Sequence, residues 1–298
     1  MAILVLTATS PAVADDEEQS RLRYVPPITS PFFNESPYIT TEIRPVYMLS
    51  VIPDEYLSAG TEGGLINIVS VQARWAFNKR LALIMTKNGY GNVSLNEAPQ
   101  LAPGVFLEKE ADGPMNVAIG AKYALIAKPE RSNYLTLGGR YEIPLGNIKQ
   151  GNIGYQGGGS GFFDFFASYG TQVGKKTGFQ TSTGFDFALD GQDDTTLFHY
   201  SFHLDHEIVD RWYGVLEGNL IHTLWQGERT NSATLGTFEG EDMFNFGSTR
   251  SGTWASLGLG GRFVLSDHWL FGAAGELPVT GRKDITDFRF TMDAIYKF

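Results

Sequence analysis

The sequence has no cysteine, no excess of positive charge and no apolar run approaching ~18 residues. Each absence closes a class. Without cysteine there is neither a disulfide framework nor a thiolate metal centre. Without long apolar runs, and at a mean hydropathy of −0.14, a helical membrane bundle is excluded. With 23 basic residues against 33 acidic, a net charge of −10 and a pI near 5.0, the chain lacks the basic footprint of a nucleic-acid partner. What it has is 35 glycines and an aromatic set of 5 Trp, 13 Tyr and 21 Phe, within 298 residues that are 42% hydrophobic. How these are spaced carries the information.

The first fourteen residues, MAILVLTATSPAVA, read as the tail of a secretory signal peptide ending in an A-x-A site at Ala12-Val13-Ala14, ahead of Asp15 to Glu18. A basic n-region and a full apolar core are missing, so the expected true start lies upstream. Residues 15–40 carry Pro26, Pro27, Pro31 and Pro37. Proline removes ladder donors, which excludes a central strand. Two placements remain, a periplasmic lead-in or a segment inserted into a lumen, and the usual looseness of chain termini favours the first.

From Thr41 onward the pattern has period two. In the last segment Phe288, Phe290, Met292, Ala294, Tyr296 and Phe298 alternate with Arg289, Thr291, Asp293 and Lys297. About twelve such segments are predicted: 41–50, 65–77, 81–89, 115–127, 134–144, 161–173, 179–189, 195–208, 212–223, 253–265, 269–278 and 288–298. Connections after even-numbered segments are short, as at Asn78-Lys79-Arg80, Val209-Asp210-Arg211 and Ser266-Asp267-His268. Most of the others are long: 51–64, 90–114, 145–160, 224–252 and 279–287. Small, polar and charged residues on one side of each strand suit a wet lumen, with the apolar side toward lipid. Alternating loop lengths match tight periplasmic turns and long external loops. The predicted fold is an all-β, antiparallel, up-and-down transmembrane barrel over 41–298, with both termini in the periplasm. Trp75, Trp212 and Trp269 are expected near the inner interface. A soluble sandwich would not need alternating loop lengths.

The ending Thr291-Met292-Asp293-Ala294-Ile295-Tyr296-Lys297-Phe298 resembles the targeting signal of bacterial outer-membrane barrels, which close on a terminal aromatic. Through Thr40-Thr41-Glu42-Ile43-Arg44-Pro45, Asn78-Lys79-Arg80-Leu81-Ala82-Leu83 and Gly138-Gly139-Arg140-Tyr141-Glu142-Ile143-Pro144, most of 41–298 resembles the outer-membrane proteins grouped with the MetA pathway of phenol degradation. That resemblance implies a barrel in the bacterial outer membrane of a Gram-negative cell, surrounded by lipid. It also implies small-molecule cargo, and recognition by the barrel-assembly machinery through Phe298. It brings no catalytic motif.

Face alternation selects the lumen candidates: Glu42, Arg44, Arg74, Lys122, Arg140, Glu142, Asp164, Asp186, His199, His203, Asp205, Glu217, Arg262, Glu276, Arg289 and Asp293. They either brace the wall as ion-pair ladders or set the selectivity of a pore. His199 and His203 share a face ~13 Å apart along one strand, too far to grip one ion. Glu217, on the next strand, is placed to approach one of them. Asp190, Asp193 and Asp194 form either a solvated turn or a divalent-cation site, the turn being favoured. Ser201 lies between the two histidines, without the spacing of a Ser–His couple, and Gly157-Gly158-Gly159-Ser160-Gly161 lacks the Lys and helix of a phosphate loop. Among the long loops, Phe106, Leu107, Phe244 and Phe246 are candidates for an inward gate over a hydrophobic cargo. The expected function is therefore passive admission of small, hydrophobic or aromatic molecules through a porin-like channel, with no enzyme activity, cofactor or metal. A barrel-embedded hydrolase and a closed structural barrel are the alternatives.

Overall fold

The computed structural model describes residues 23–54, 63–98, 100–102, 104–106, 108–151, 153–229, 239–247 and 252–298. The signal-peptide reading of residues 1–14 and the acidic stretch 15–18 lie outside them. Strands are β1 (Glu42–Ile52), β2 (Gly64–Ala76), β3 (Leu81–Thr86), β4 (Gly89–Leu95), β5 (Gln100–Ala102), β6 (Val105–Phe106), β7 (Glu110–Pro114), β8 (Val117–Lys128) and β9 (Asn133–Ile143). They continue with β10 (Lys149–Gln150), β11 (Ile153–Gly154), β12 (Phe162–Val173), β13 (Thr177–Ala188), β14 (Thr196–Val209), β15 (Trp212–Trp225), β16 (Thr253–Val264), β17 (Trp269–Pro278) and β18 (Phe288–Lys297).

Neighbouring wall strands pair antiparallel, and β1 pairs with both β2 and β18, so the sheet closes on itself. Two wall positions are built from broken strands. Against β2, the chain runs as β3 and then β4; beyond them β8 pairs with β3, and β7 with β4. The break carries left-handed Lys87 at φ 52°. Counting each broken pair once gives a closed barrel of twelve strands, as predicted.

The inward-facing residues are small, polar or charged over much of the wall, and the outward ones are apolar. In β18, Arg289, Thr291, Asp293 and Ile295 are buried, while Phe288 and Met292 are exposed. Ile43, Val69, Leu137, Phe165, Leu216, Leu257 and Leu259 are among the exposed apolar residues of the outer band. Leu259 is 69% exposed in the middle of β16. Leu259→Arg is expected to cost about 2–4 kcal/mol in a bilayer if that face lies at the hydrocarbon midplane. Urea midpoints in liposomes check this, and an unchanged midpoint would argue against lipid at that face.

The short turns follow from their side chains. Asn78 Oδ1 accepts the Arg80 and Leu81 N–H groups at 2.8 and 3.0 Å, and Ser266 Oγ accepts those of His268 and Trp269 at 3.3 and 3.1 Å. Aromatic rings gather beside these turns: Trp212 stacks on Phe263 at 4.5 Å, and Trp269 on Phe271 at 6.0 Å.

Two features depart from the sequence reading. The stretch 90–114, expected as an external loop, extends the wall through β4 and β7. There the polarity inverts: Val93, Leu95 and Ala111 are buried inside, while Tyr90, Glu110 and Asp112 face out. The lumen is also not uniformly wet. Val46, Met48, Ile52, Ile66, Ile68, Val93 and Leu95 form an apolar cluster inside the barrel, with Phe32, Met243, Phe244 and Phe246 packed on it.

Candidate functional site: a filled lumen

Residues 23–40 occupy the inside of the barrel, and Tyr24 to Thr40 are all buried. The segment starts at the short-turn end, where the Arg23 N–H donates to Ser132 Oγ at 3.0 Å and its guanidinium to the Lys176 carbonyl at 2.8 Å. It bends at Ser30, left-handed at φ 47°, whose carbonyl accepts the Phe33 and Asn34 N–H groups. It then returns to the same end at Thr41, whose carbonyl accepts the Phe298 N–H. The expected periplasmic placement of this stretch therefore gives way to the lumen placement for the described part.

Its composition explains why it can lie there. Each proline brings a carbonyl but no N–H. The wall supplies the donors: Arg44 to the Pro27 carbonyl at 2.7 Å, Gln72 to Pro31 at 2.8 Å, and Thr136 to Pro37 at 2.6 Å. Gln180 donates to the Val25 carbonyl at 2.6 Å, Ser168 to Glu35 at 2.8 Å and Lys122 to Ser36 at 2.7 Å. A buried acceptor without a donor would be costly, so the wall and the segment are matched. Two inward glycines make room: a Cβ at Gly170 would sit 2.7 Å from Pro37 Cγ, and one at Gly258 2.8 Å from Thr29 Cγ2.

All the charged and histidine lumen candidates are buried, and they fall into local networks. Asp293 accepts from Arg44 at 2.8 Å and from Arg262 at 2.9 Å. Arg140 binds Asp164 at 2.7 Å, and Asp164 also meets His199 Nε2 at 2.8 Å. Glu217 contacts His203 Nδ1 at 2.6 Å and accepts the Ile28 and Thr29 N–H groups at 2.8 and 2.6 Å. Glu217 thus reaches His203 as the strand order suggested. Asp205 pairs with Arg23 and lies 3.4 Å from His203 Nε2. Glu42 accepts from Tyr24 at 2.5 Å and from Arg74 at 3.2 Å. Glu142 pairs with Lys87 at 2.8 Å. Arg289 binds Glu276 at 2.7 Å and Asp242 at 2.6 Å, with Glu241 at 3.5 Å. Asp186 lines a cavity of about 10 Å³ with Phe32, Phe33, Lys87, Glu142 and Asp164, room for about one water.

The gate candidates divide. Phe244 and Phe246 are buried and T-stack on Tyr155 at 5.1 and 4.9 Å. The loop that carries them, 239–247, is pinned by a bridge between Gln156 and Asn245 and by Asn245 bonds to Thr195. Phe106 does not join them. It is 61% exposed, because β5 and β6 pair only with each other. Leu107 lies outside the described residues. Burial pushes the Glu241 carboxyl in this loop well above the usual carboxylate range, against the pull of Arg289.

The aspartates of the 190–194 turn do not converge. Asp190 Oδ1 accepts the Gln192 and Asp193 N–H groups, and Asp194 is buried against Arg229 and the Gly158 N–H. Among the described residues no group of three or more His, Asp or Glu side chains is arranged to hold a metal.

Sequence reasoning missed Glu35, Lys87, Glu241 and Asp242. Glu35 binds Arg74 through two bonds of 2.8 and 2.7 Å and Lys122 at 2.8 Å. One signal pointed to it. Cross-strand from Lys122 stand Ala82 and Gly138, so the wall offers this inward cation no anion beside it.

A closed twelve-stranded antiparallel barrel with an apolar outer band is the architecture of outer-membrane β-barrel proteins. No protein-family model and no curated protein sequence matches the chain. Among solved structures, an outer-membrane channel from Pseudomonas putida F1 superposes with a TM-score of 0.65 at 11% identity, over 92% of this chain and 100% of that one. The translocator domain of the autotransporter NalP from Neisseria meningitidis gives 0.47 at 13% identity, over 87% and 88% of the two chains. The Pseudomonas putida toluene transporter TodX gives 0.45 at 8%, over 92% and 97%. The first comparison establishes a shared fold; the other two are more distant in shape.

Proposed function

We propose that the protein is an outer-membrane channel for the passive diffusion of small molecules, seen in a closed state. Residues 23–40 close it from the periplasmic side, and residues 239–247 close it from the external side. The observation that carries the reading is the way the lumen is filled. The filling is a separate segment held by hydrogen bonds and ion pairs, while the wall's own ladders close the barrel without it. A barrel whose only role is structural has no need of a filling separate from its wall. The likeness to an outer-membrane channel in fold is consistent with this.

In this reading the buried charges have two roles: they brace the closed lumen and line the path once it opens. The outer band contacts outer-membrane lipid, and exposed Phe298 serves as the signal for the assembly machinery. The apolar cluster at the outer end favours hydrophobic or aromatic cargo over sugars. Purified protein in planar bilayers is expected to give discrete current steps separated by long closed intervals. Absence of current in several salts and at both polarities would overturn the channel reading.

A further inference from the structure

We propose that the seat of the Glu35 carboxylate is a binding site for a carboxylate. Its ligand is a small organic acid with an apolar or aromatic body, which occupies the seat when residues 23–40 withdraw. The proposal rests on the channel reading for the route the acid takes, but not for the seat itself.

The seat belongs to the wall. Arg74 on β2 presents Nε and Nη2 to the two Glu35 oxygens at 2.8 and 2.7 Å, the two-pronged geometry that guanidinium offers to carboxylates. Lys122 on β8 adds Nζ at 2.8 Å. All three side chains are buried, and the two cations sit on wall strands whose ladders do not include residues 23–40.

Charge counting says what suits the seat. Arg74 and Lys122 are balanced by Glu35 and Glu42. Without Glu35 one positive charge is left over in the lumen, beside the uncharged Ala82 and Gly138. Two wall cations facing Glu42 alone leave a net positive site, which favours an anion there. Glu35 is the sole acidic residue of 23–40, whereas Asp164 and Asp293 are paired to cations of the wall itself.

The body of the ligand is argued from Phe33. The Glu35 N–H donates to the Phe33 carbonyl at 2.8 Å, a tight turn that holds the phenyl ring and the carboxylate two residues apart. The ring lies flat on His199, with centroids 4.4 Å apart and planes 8° from parallel, and belongs to a cluster with Leu197, Ile221 and Trp254. When the segment leaves, the wall keeps an aromatic platform and a cationic fork. Only an acid whose aromatic body hangs on a spacer offers a partner to each, since His199 and Lys122 stand on wall strands separated by β9, β12 and β13.

The test uses the full chain in detergent, with benzoate as probe and Glu35→Ala to empty the seat; Phe33 stays on His199 in this variant, so the probe reads the cationic fork alone. Calorimetry is expected to find benzoate bound about tenfold or more tighter by the variant than by the wild type, as a charge-assisted contact at a vacated seat predicts. Adding Lys122→Met to the variant should weaken that binding, and benzyl alcohol, with the same ring and no charge, should not bind. Equal benzoate affinity in wild type and variant, or equal binding of acid and alcohol, overturns the proposal. If Glu35→Ala does not fold, refolding it in benzoate is the same test. Recovery of the compact, heat-modifiable band with the acid alone supports the seat. Recovery with both probes, or with neither, overturns it. Bilayer current is read separately. Benzoate binding without current would fail the channel reading and leave the seat, and current without benzoate binding would do the reverse.

Discussion

Arg289→Met is expected to be the most destabilising single change in the barrel, at about 3–5 kcal/mol, the range for removing one partner of a buried ion pair. Arg289 is fully buried and satisfies Glu276 at 2.7 Å and Asp242 at 2.6 Å, with Glu241 at 3.5 Å. It also lies 5.8 Å over the Trp254 ring. Methionine keeps much of the volume and loses every one of these contacts. Glu276 would retain Ser256 and Asn219 as donors, and Glu241 would retain Thr286. Asp242 would lose its 2.6 Å partner. Arg289→Lys keeps the charge without the fork and should lose less. The check is the temperature at which the compact band on a detergent gel converts to the unfolded one. An unchanged transition for Arg289→Met would mean that water from the outer mouth already hydrates these carboxylates.

A reversible loss of current is expected from the pair Thr29→Cys and Gly258→Cys. An ideal Cβ at Gly258 lies 2.8 Å from Thr29 Cγ2, which brings the two β-carbons within about disulfide reach of ~3.5–4.5 Å. The chain has no other cysteine, so the bridge forms without competition. Oxidised protein should stay closed, because its filling segment is now joined to β16. Reductant should restore wild-type steps in the same membrane. Equal current under both conditions would show that permeation does not require residues 23–40 to move. Each single-cysteine variant serves as the control for reductant acting elsewhere.

The barrel was legible in the sequence wherever the strand crosses lipid. In β18, Phe288, Arg289, Phe290, Thr291, Met292 and Asp293 alternate without interruption, because one side meets hydrocarbon and the other meets charge. It was illegible in β4 and β7, where the wall is apolar inside at Val93 and Ala111 and polar outside at Asn92 and Asp112. A rule tuned to apolar outer faces reads that inversion as loop. The wall half of the candidate site followed from the same alternation, since period two puts Arg74, Lys122 and Asp293 on one face. The other half did not. Glu35 sits among prolines with no period, held by partners 39 and 87 residues away in sequence. The uncompensated Lys122 was the trace it left in the strands. Phe106 stands apart from Phe244 and Phe246, because apolar character alone does not say whether a short hairpin packs on the wall.

The path of residues 23–40 also bears on how the molecule is assembled. The segment begins beside Ser132 and ends beside Phe298, at one mouth of the barrel. It is therefore a bight pushed into a tube, not a line drawn through it. A line would have to pass its leading end through the far mouth, whereas a bight can be tucked in after the last seam has closed and drawn out again without parting any strand. For the described residues, barrel closure and lumen filling are thus topologically separate events, and that stretch imposes no order between them.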